Sequence, residues 1–180
     1  MHWVTTRHIH MDRVASPWLI RRFIDPDALF SFVPMFGGFQ GPPGAIQFAI
    51  PGAEIGPHDD QGTCFSKLVR KYQVTDAAAL EISKVVTAGV NYVLKGYRPP
   101  ADDRYGQIAV GLLAVSDGMM MVRDGDLDVL DSSMVVYDAL HARFKTEVLM
   151  TELGSAPPDH RPFGPGPRTE YFKALLLDHP

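Results

Sequence analysis

Between residues 127 and 148 the chain places Leu127, Leu130, Met134, Tyr137, His141, Phe144 and Val148 at alternating intervals of three and four. Only an α-helix gathers that spacing into one seam, so the pattern predicts a helix from about Asp126 to Thr151. The seam covers only about three heptads, which favours packing inside one core, with a homodimer through the same seam as the alternative. Such a helix needs neighbours to cover it, and three more helical patterns precede it. Phe65, Leu68, Val69 and Tyr72 form one face, with Thr63 as the expected cap. Ile82, Val85, Val86, Gly89 and Val93 form the next, from Thr75 or Asp76 to a stop at Gly96, with Pro99-Pro100 beyond. Tyr105, Ile108, Leu112, Val115 and Met119 define a fourth helix that ends by Arg123-Asp124-Gly125.

The amino-terminal third reads differently. Trp3–Thr6, Leu29–Val33 and Ala45–Ile50 are short strand candidates, the later two bounded by Pro or Gly, with a loop over Gly37–Gly44. One helix falls among them. It begins near Asp12, or at Ser16 with Pro17 in its first turn, carries Trp18, Leu19, Phe23 and Ile24 on one side, and ends at Asp25-Pro26. From Gly154 to Pro167 five prolines and three glycines exclude a regular helix and predict an extended linker, followed by a short helix from Thr169 to Leu177. The expected fold class is α+β, helix-dominated, with five or six helices packed on a small amino-terminal sheet. Residues 1–153 form one globular domain, 154–167 a linker, and 168–180 a short helix docking on the same domain.

Composition narrows the function classes. Seventeen Lys and Arg against 21 Asp and Glu give a formal charge of −4, which disfavours a nucleic-acid partner. Cys64 is the only cysteine, so no internal disulfide or multi-cysteine zinc site can form, which fits a reducing compartment. The first residues lack the apolar core of a signal peptide, and no run is read as approaching the roughly 18 apolar residues of a membrane span. The expectation is a cytoplasmic protein without a membrane partner.

Two polar clusters lie outside the helical patterns. In the first, His8, His10 and Asp12 alternate, so an extended backbone places them on one face. The second is Glu54, His58, Asp59 and Asp60, with Cys64 close behind. Together they offer imidazole and carboxylate, the ligands of a divalent transition metal such as Zn, Fe, Ni or Mn, with His10, Asp12, Glu54 and His58 as candidate ligands. The bland account is that Asp12 caps the first helix, His10 bonds a loop carbonyl, and Glu54 pairs with His58. His10, Asp12 and His58 also follow the order of a 2-His-1-carboxylate iron site, but that chemistry sits on many-stranded scaffolds that this helical chain does not resemble. Arg13 and Arg21 flank the helix start and are candidate groups for a tetrahedral oxyanion; the bland account of Arg21 and Arg22 is two solvated charges. Two reserve candidates remain. Cys64, near a helix start, is either a reactive thiol or a buried small hydrophobe. His141, in the long seam with Asp138 three residues earlier, is either a core histidine or a helix-borne ligand.

The run His10-Met11-Asp12-Arg13-Val14-Ala15-Ser16-Pro17-Trp18-Leu19-Ile20-Arg21-Arg22-Phe23-Ile24-Asp25 resembles the chromate-resistance family, specifically its ChrB-like carboxyl-terminal domain. Pro51-Gly52-Ala53-Glu54-Ile55-Gly56, His58 and Thr63-Cys64-Phe65 are similar to two further blocks of that family, and Val136–His141 to a late helix. The similarity spans roughly residues 3 to 145. Cys64 is shifted by one place, Pro57 is inserted before His58, and His141 stands where the family usually has tyrosine. Larger members carry an additional amino-terminal region that this chain is expected to lack. The resemblance implies a part in chromate resistance, sensing or handling a small inorganic anion such as chromate or sulfate. A metal-dependent or oxyanion-handling protein and a non-catalytic regulatory domain are the two readings it leaves open.

Overall fold

The computed structural model describes residues 1–35, 41–162 and 164–179, so residues 37–40 of the expected loop lie outside the described part. Strand β1 (His2–Thr6) leads through helix α1 (Asp12–Leu19), extended by a π-helical turn at Ile20–Ile24, to β2 (Leu29–Val33) and β3 (Ile46–Gln47). Helices α2 (Cys64–Lys71), α3 (Ala77–Lys95), α4 (Arg104–Val122), α5 (Asp126–Leu153) and α6 (Gly166–Asp178) follow. Six helices on a three-stranded sheet bear out the helix-dominated α+β class.

The sheet is wholly parallel in the order β2-β1-β3, with His2 opposite Leu29, Thr6 opposite Val33, and Trp3 opposite Ile46. The chain therefore leaves the central strand toward one edge and returns for β3 at the other, and the crevice outside the carboxyl ends of such strands is where open α/β sheets bind ligands. The third strand is shorter than its apolar run, since Phe48 makes only an isolated bridge to Ile55. Trp3, Val4, Thr5 and Thr6 are all buried, as a central parallel strand covered on both faces requires.

Helix α1 begins at Asp12, so Ser16 is not its cap, and Pro17 lies inside the helix. It is the hub of the core. Seven of its eight residues are buried, and the Trp18 ring lies over Phe65 at 6.5 Å, nearly parallel, and 6.0 Å from Tyr137. The Trp18 indole donates to Asp138 of α5 at 2.8 Å, and Arg22 grips the same carboxylate through two nitrogens at 2.8 and 2.6 Å. At the far end of the π-helical turn Asp25 accepts the Trp3 indole N–H at 2.9 Å, tying α1 back to β1.

Caps and stops fall where side-chain chemistry placed them. Thr63 accepts from the Ser66 N–H at 3.1 Å and Asp76 from Ala79 at 2.7 Å. Gly96 ends α3 in the left-handed conformation, φ 65°, which a Cβ would penalise. Three faces differ from expectation, the first being that of α3, where Val93 is exposed and the buried stripe ends at Val90. On α4 the buried residues are Gly106, Ala109, Leu112, Leu113 and Ser116, while Val115 is exposed. Close packing of α4 on α3 and α5 selects small side chains, and a stripe read from large residues runs one position away. On α5 the first buried residue is Val129, with Leu127 exposed. Asp126, just before it, accepts the backbone N–H of Ile9 at 2.8 Å, which fixes the rotation of the first turn.

Helices α3 and α4 are each long and apolar enough to cross a membrane by length and composition, contrary to the sequence reading that no run approached that size. Here their apolar faces pack on each other and on α5. Helix α6 starts three residues earlier than expected, with Pro167 in its first turn, and lies on α5 through buried Leu175 and a 2.8 Å bond from Tyr171 to Ser155.

His141 is bonded to Asp76 at 2.9 Å rather than to Asp138, whose oxygens serve Trp18 and Arg22. That bond, with burial opposing it, holds the Asp76 carboxyl below its ordinary value of 3.8. The folded protein then binds fewer protons at Asp76 than the unfolded chain does, so the stabilisation is complete above that value and is lost as pH falls through the depressed one. Asp76→Asn should flatten the acid limb of the urea-midpoint against pH curve, and an unchanged limb would show that the bond contributes nothing.

Candidate functional site

At the carboxyl ends of the strands lies a cavity of about 300 Å³. Its floor comes from the residues at or just beyond each strand: Thr6 after β1, Met35 after β2 and Ala49 after β3. Around these stand His10, Met11, Asp12 and Arg13 from the turn into α1, His58 from the loop before α2, and Val90, Val93 and Leu94 from the last turns of α3. Two lining residues, Met11 at φ 43° and Ala49 at φ 52°, have backbones that side chains other than glycine rarely adopt. Such strain persists only where surrounding packing imposes it, and it gathers at functional sites. Gly89 of α3 makes room for the Met11 side chain, whose methyl group would meet a Cβ there.

Asp12 does not cap its own helix. Its Oδ2 accepts the N–H of Cys64 at 2.8 Å and its Oδ1 that of Phe65 at 2.9 Å, and the Ser16 hydroxyl donates to Oδ1 at 3.2 Å. With Thr63 receiving Ser66, three of the four unpaired donors at the start of α2 are satisfied from side chains. Burial pushes the Asp12 carboxyl up from its ordinary value, opposed by these three hydrogen bonds and by the charge of His58.

Arg13 is equally engaged. Its Nη1 donates to the Thr6 hydroxyl and, at 3.2 Å, to the Arg7 carbonyl, while Nη2 donates to the His8 carbonyl at 3.1 Å. Burial pushes this guanidinium down from its ordinary value, opposed by Asp126 and Asp12. The guanidinium therefore stitches the loop after β1 while still lining the cavity.

The two histidines are different. His58 Nδ1 and His10 Nε2 are buried, and among the described residues neither has a hydrogen-bond partner. His10 Nε2 does lie 2.9 Å from Asp117 Oδ1 of α4, close enough for an ion pair but without the alignment of a hydrogen bond. Buried polar atoms are nearly always paired, so the unpartnered His58 Nδ1, on a residue that lines the cavity, is its most informative feature.

The other sequence candidates stand elsewhere. Glu54 is 79% exposed and paired with Lys71 at 2.5 Å, not with His58. Arg21 pairs with Asp131 at 2.7 Å and lies over the Phe30 ring. Cys64 is fully buried, and burial with the nearby Asp12 charge pushes its thiol up, so it is the small hydrophobe and not a reactive thiolate. His141 packs between Trp18 and Phe23, outside the cavity. Among the described residues no three His, Cys, Asp or Glu side chains are grouped to hold a metal ion. Of the candidates, then, His10, Asp12, Arg13 and His58 converge, and Glu54, Arg21, Cys64 and His141 do not.

Sequence reasoning missed Thr6, Met35, Ala49 and the α3 wall. One signal for that wall was available, because Val93 and Leu94 are adjacent on a helix and cannot both point into one core. Asp117, which faces His10 from 107 residues away, left no local trace.

A pocket at the carboxyl edge of a small parallel sheet, mostly apolar with a few convergent polar groups, has the form that small-ligand sites take in such folds. The model of the family described as ChrB, C-terminal domain, matches residues 3–144, and the chain belongs to that family. It is 32% identical over 119 residues to Protein ChrB of Cupriavidus metallidurans, a match covering 56% of this chain and 35% of that protein. The chain thus spans about a third of the length of the curated relative it matches. No solved structure gives a significant match.

Asp12→Ala removes both acceptors from the start of α2 and should lower the unfolding free energy by about 2 to 3 kcal/mol. Asp12→Asn, which keeps one acceptor oxygen, should recover part of that loss. Urea unfolding of the three proteins measures this, and equal midpoints for wild type and Asp12→Ala would remove the cap from the account.

Proposed function

We propose that this chain is the anion-binding module of a chromate-resistance protein, and that the cavity takes a tetrahedral oxyanion such as chromate or sulfate. The observation that carries the reading is that His10, His58 and Arg13 line one cavity, with His58 Nδ1 unpartnered among the described residues and His10 Nε2 beside only the Asp117 carboxylate. An imidazole N–H or imidazolium donates hydrogen bonds, and an oxyanion offers only acceptors, so the three groups suit one ligand. The role is sensing or sequestration without turnover by this chain alone. Cys64, the only thiol, is buried and held protonated, so no thiolate faces the cavity. Both Asp12 oxygens are occupied by α2, so this carboxylate is not free to act as a general base.

The same two nitrogens support a second reading, a divalent transition metal held by His10 and His58. It would need a carboxylate from elsewhere, since Asp12 is committed to α2 and Glu54 to Lys71.

Calorimetric titration with chromate and with sulfate should show one saturable site. His10→Gln and His58→Gln should each weaken it by about tenfold, the worth of one hydrogen bond to a charged group. Unaltered affinity in both variants would sink the assignment. Exhaustive chelation separates the two readings, because oxyanion binding should survive it. Loss of binding together with about one equivalent of metal, measured by elemental analysis, would favour the metal centre.

A further inference from the structure

The cavity is larger and more apolar than an inorganic oxyanion requires. At about 300 Å³ it has more room than a five-atom tetrahedral anion fills. Its donors all come from the strand ends, the turn into α1 and the loop before α2. The wall supplied by α3 is wholly apolar, formed by Val90, Val93 and Leu94, with Met35 also lining the cavity. Three of these spend large apolar side chains on exposure, Val93 at 51%, Leu94 at 66% and Met35 at 55%. Val93 and Leu94 lie in the last turn of α3, just before the Gly96 stop, where the helix has already passed its buried residues. A bare oxyanion on His10, His58 and Arg13 would leave that wall facing water.

We infer that the cavity binds a small organic carboxylate, its anionic head on His10, His58 and Arg13 and its apolar body against the α3 wall. This rests on the reading of the cavity as an anion site and narrows the ligand class. Inorganic oxyanions then occupy the head position alone, and an acid with an apolar body gains the area buried against Val90, Val93 and Leu94. The cationic and donor side chains lining the cavity all come from elements other than α3, and the Asp12 carboxylate among them is taken up by the Cys64 and Phe65 N–H groups, so the anionic head belongs on His10, His58 and Arg13.

Titration calorimetry of the full chain with phenylacetate, acetate and sulfate tests the inference, beside His58→Gln and Leu94→Ser, with thermal melting to verify that each variant is folded. Phenylacetate should bind at least about tenfold more tightly than acetate, from the apolar area its ring removes from water. Leu94→Ser should narrow that ratio by about threefold, and His58→Gln should weaken all three ligands. Equal affinities for phenylacetate and acetate, with sulfate bound, would overturn the organic-ligand inference and leave the oxyanion reading standing. Phenylacetate bound in a His58-dependent manner while sulfate and chromate fail to bind would do the reverse. A phenylacetate preference unchanged in Leu94→Ser, or indifferent to His58→Gln, would also overturn the inference. Failure of every anion to bind would overturn both.

Discussion

The carboxylate of Asp12 joins the first residue of one helix to the first turn of another 52 residues later, and the site depends on that joint. A buried carboxylate is costly to desolvate unless its lone pairs are filled. Here the Cys64 and Phe65 N–H groups, the Ser16 hydroxyl and the positive end of the α2 dipole fill them. The bond sets the start of α1 against the start of α2. It thereby brings the turn carrying His10 and Met11, and the loop carrying His58, to the carboxyl edge of the sheet. The positive φ of Met11 sits directly before Asp12, whose bonds to α2 fix where the chain must pass.

The run from His10 to Asp25 that marks the family is mostly scaffold. Asp12 holds α2, Arg13 holds the loop after β1, Trp18 and Arg22 hold Asp138 of α5, Arg21 holds Asp131, and Asp25 holds Trp3. Asp12, Trp18, Arg21, Arg22 and Asp25 have partners distant in sequence, and these contacts tie α1 and its π-helical extension to β1, α2 and α5. Against those pairings, His58 Nδ1, without a partner among the described residues, and His10 Nε2, facing only Asp117, stand out. The chemistry of the cavity is what remains once the structural pairings are accounted for, which is why a polar cluster in the sequence overstates the number of ligand-facing groups.

The sequence by itself determined the elements. The 3,4 seam of α5, the faces of α2 and α3, the Thr63 and Asp76 caps, the Gly96 stop and the strand at Leu29–Val33 are local signals, because capping, periodicity and turn chemistry act within a few residues. It also placed His10, Asp12, Arg13 and His58 among the candidates, since imidazole and charged groups outside helical patterns are legible as such. Tertiary structure alone decided which of them meet. Glu54 goes to Lys71 and His141 to Asp76, while Asp117 reaches His10 and the α3 wall reaches the cavity from elements that no local pattern relates to them. Tertiary structure also selected the narrow face of α4, because the approach of two helices favours small residues over the large ones a periodicity counts. The physical reason is common to these cases: local signals specify one element at a time, whereas partners for buried charges and the walls of a cavity exist only after the elements have packed.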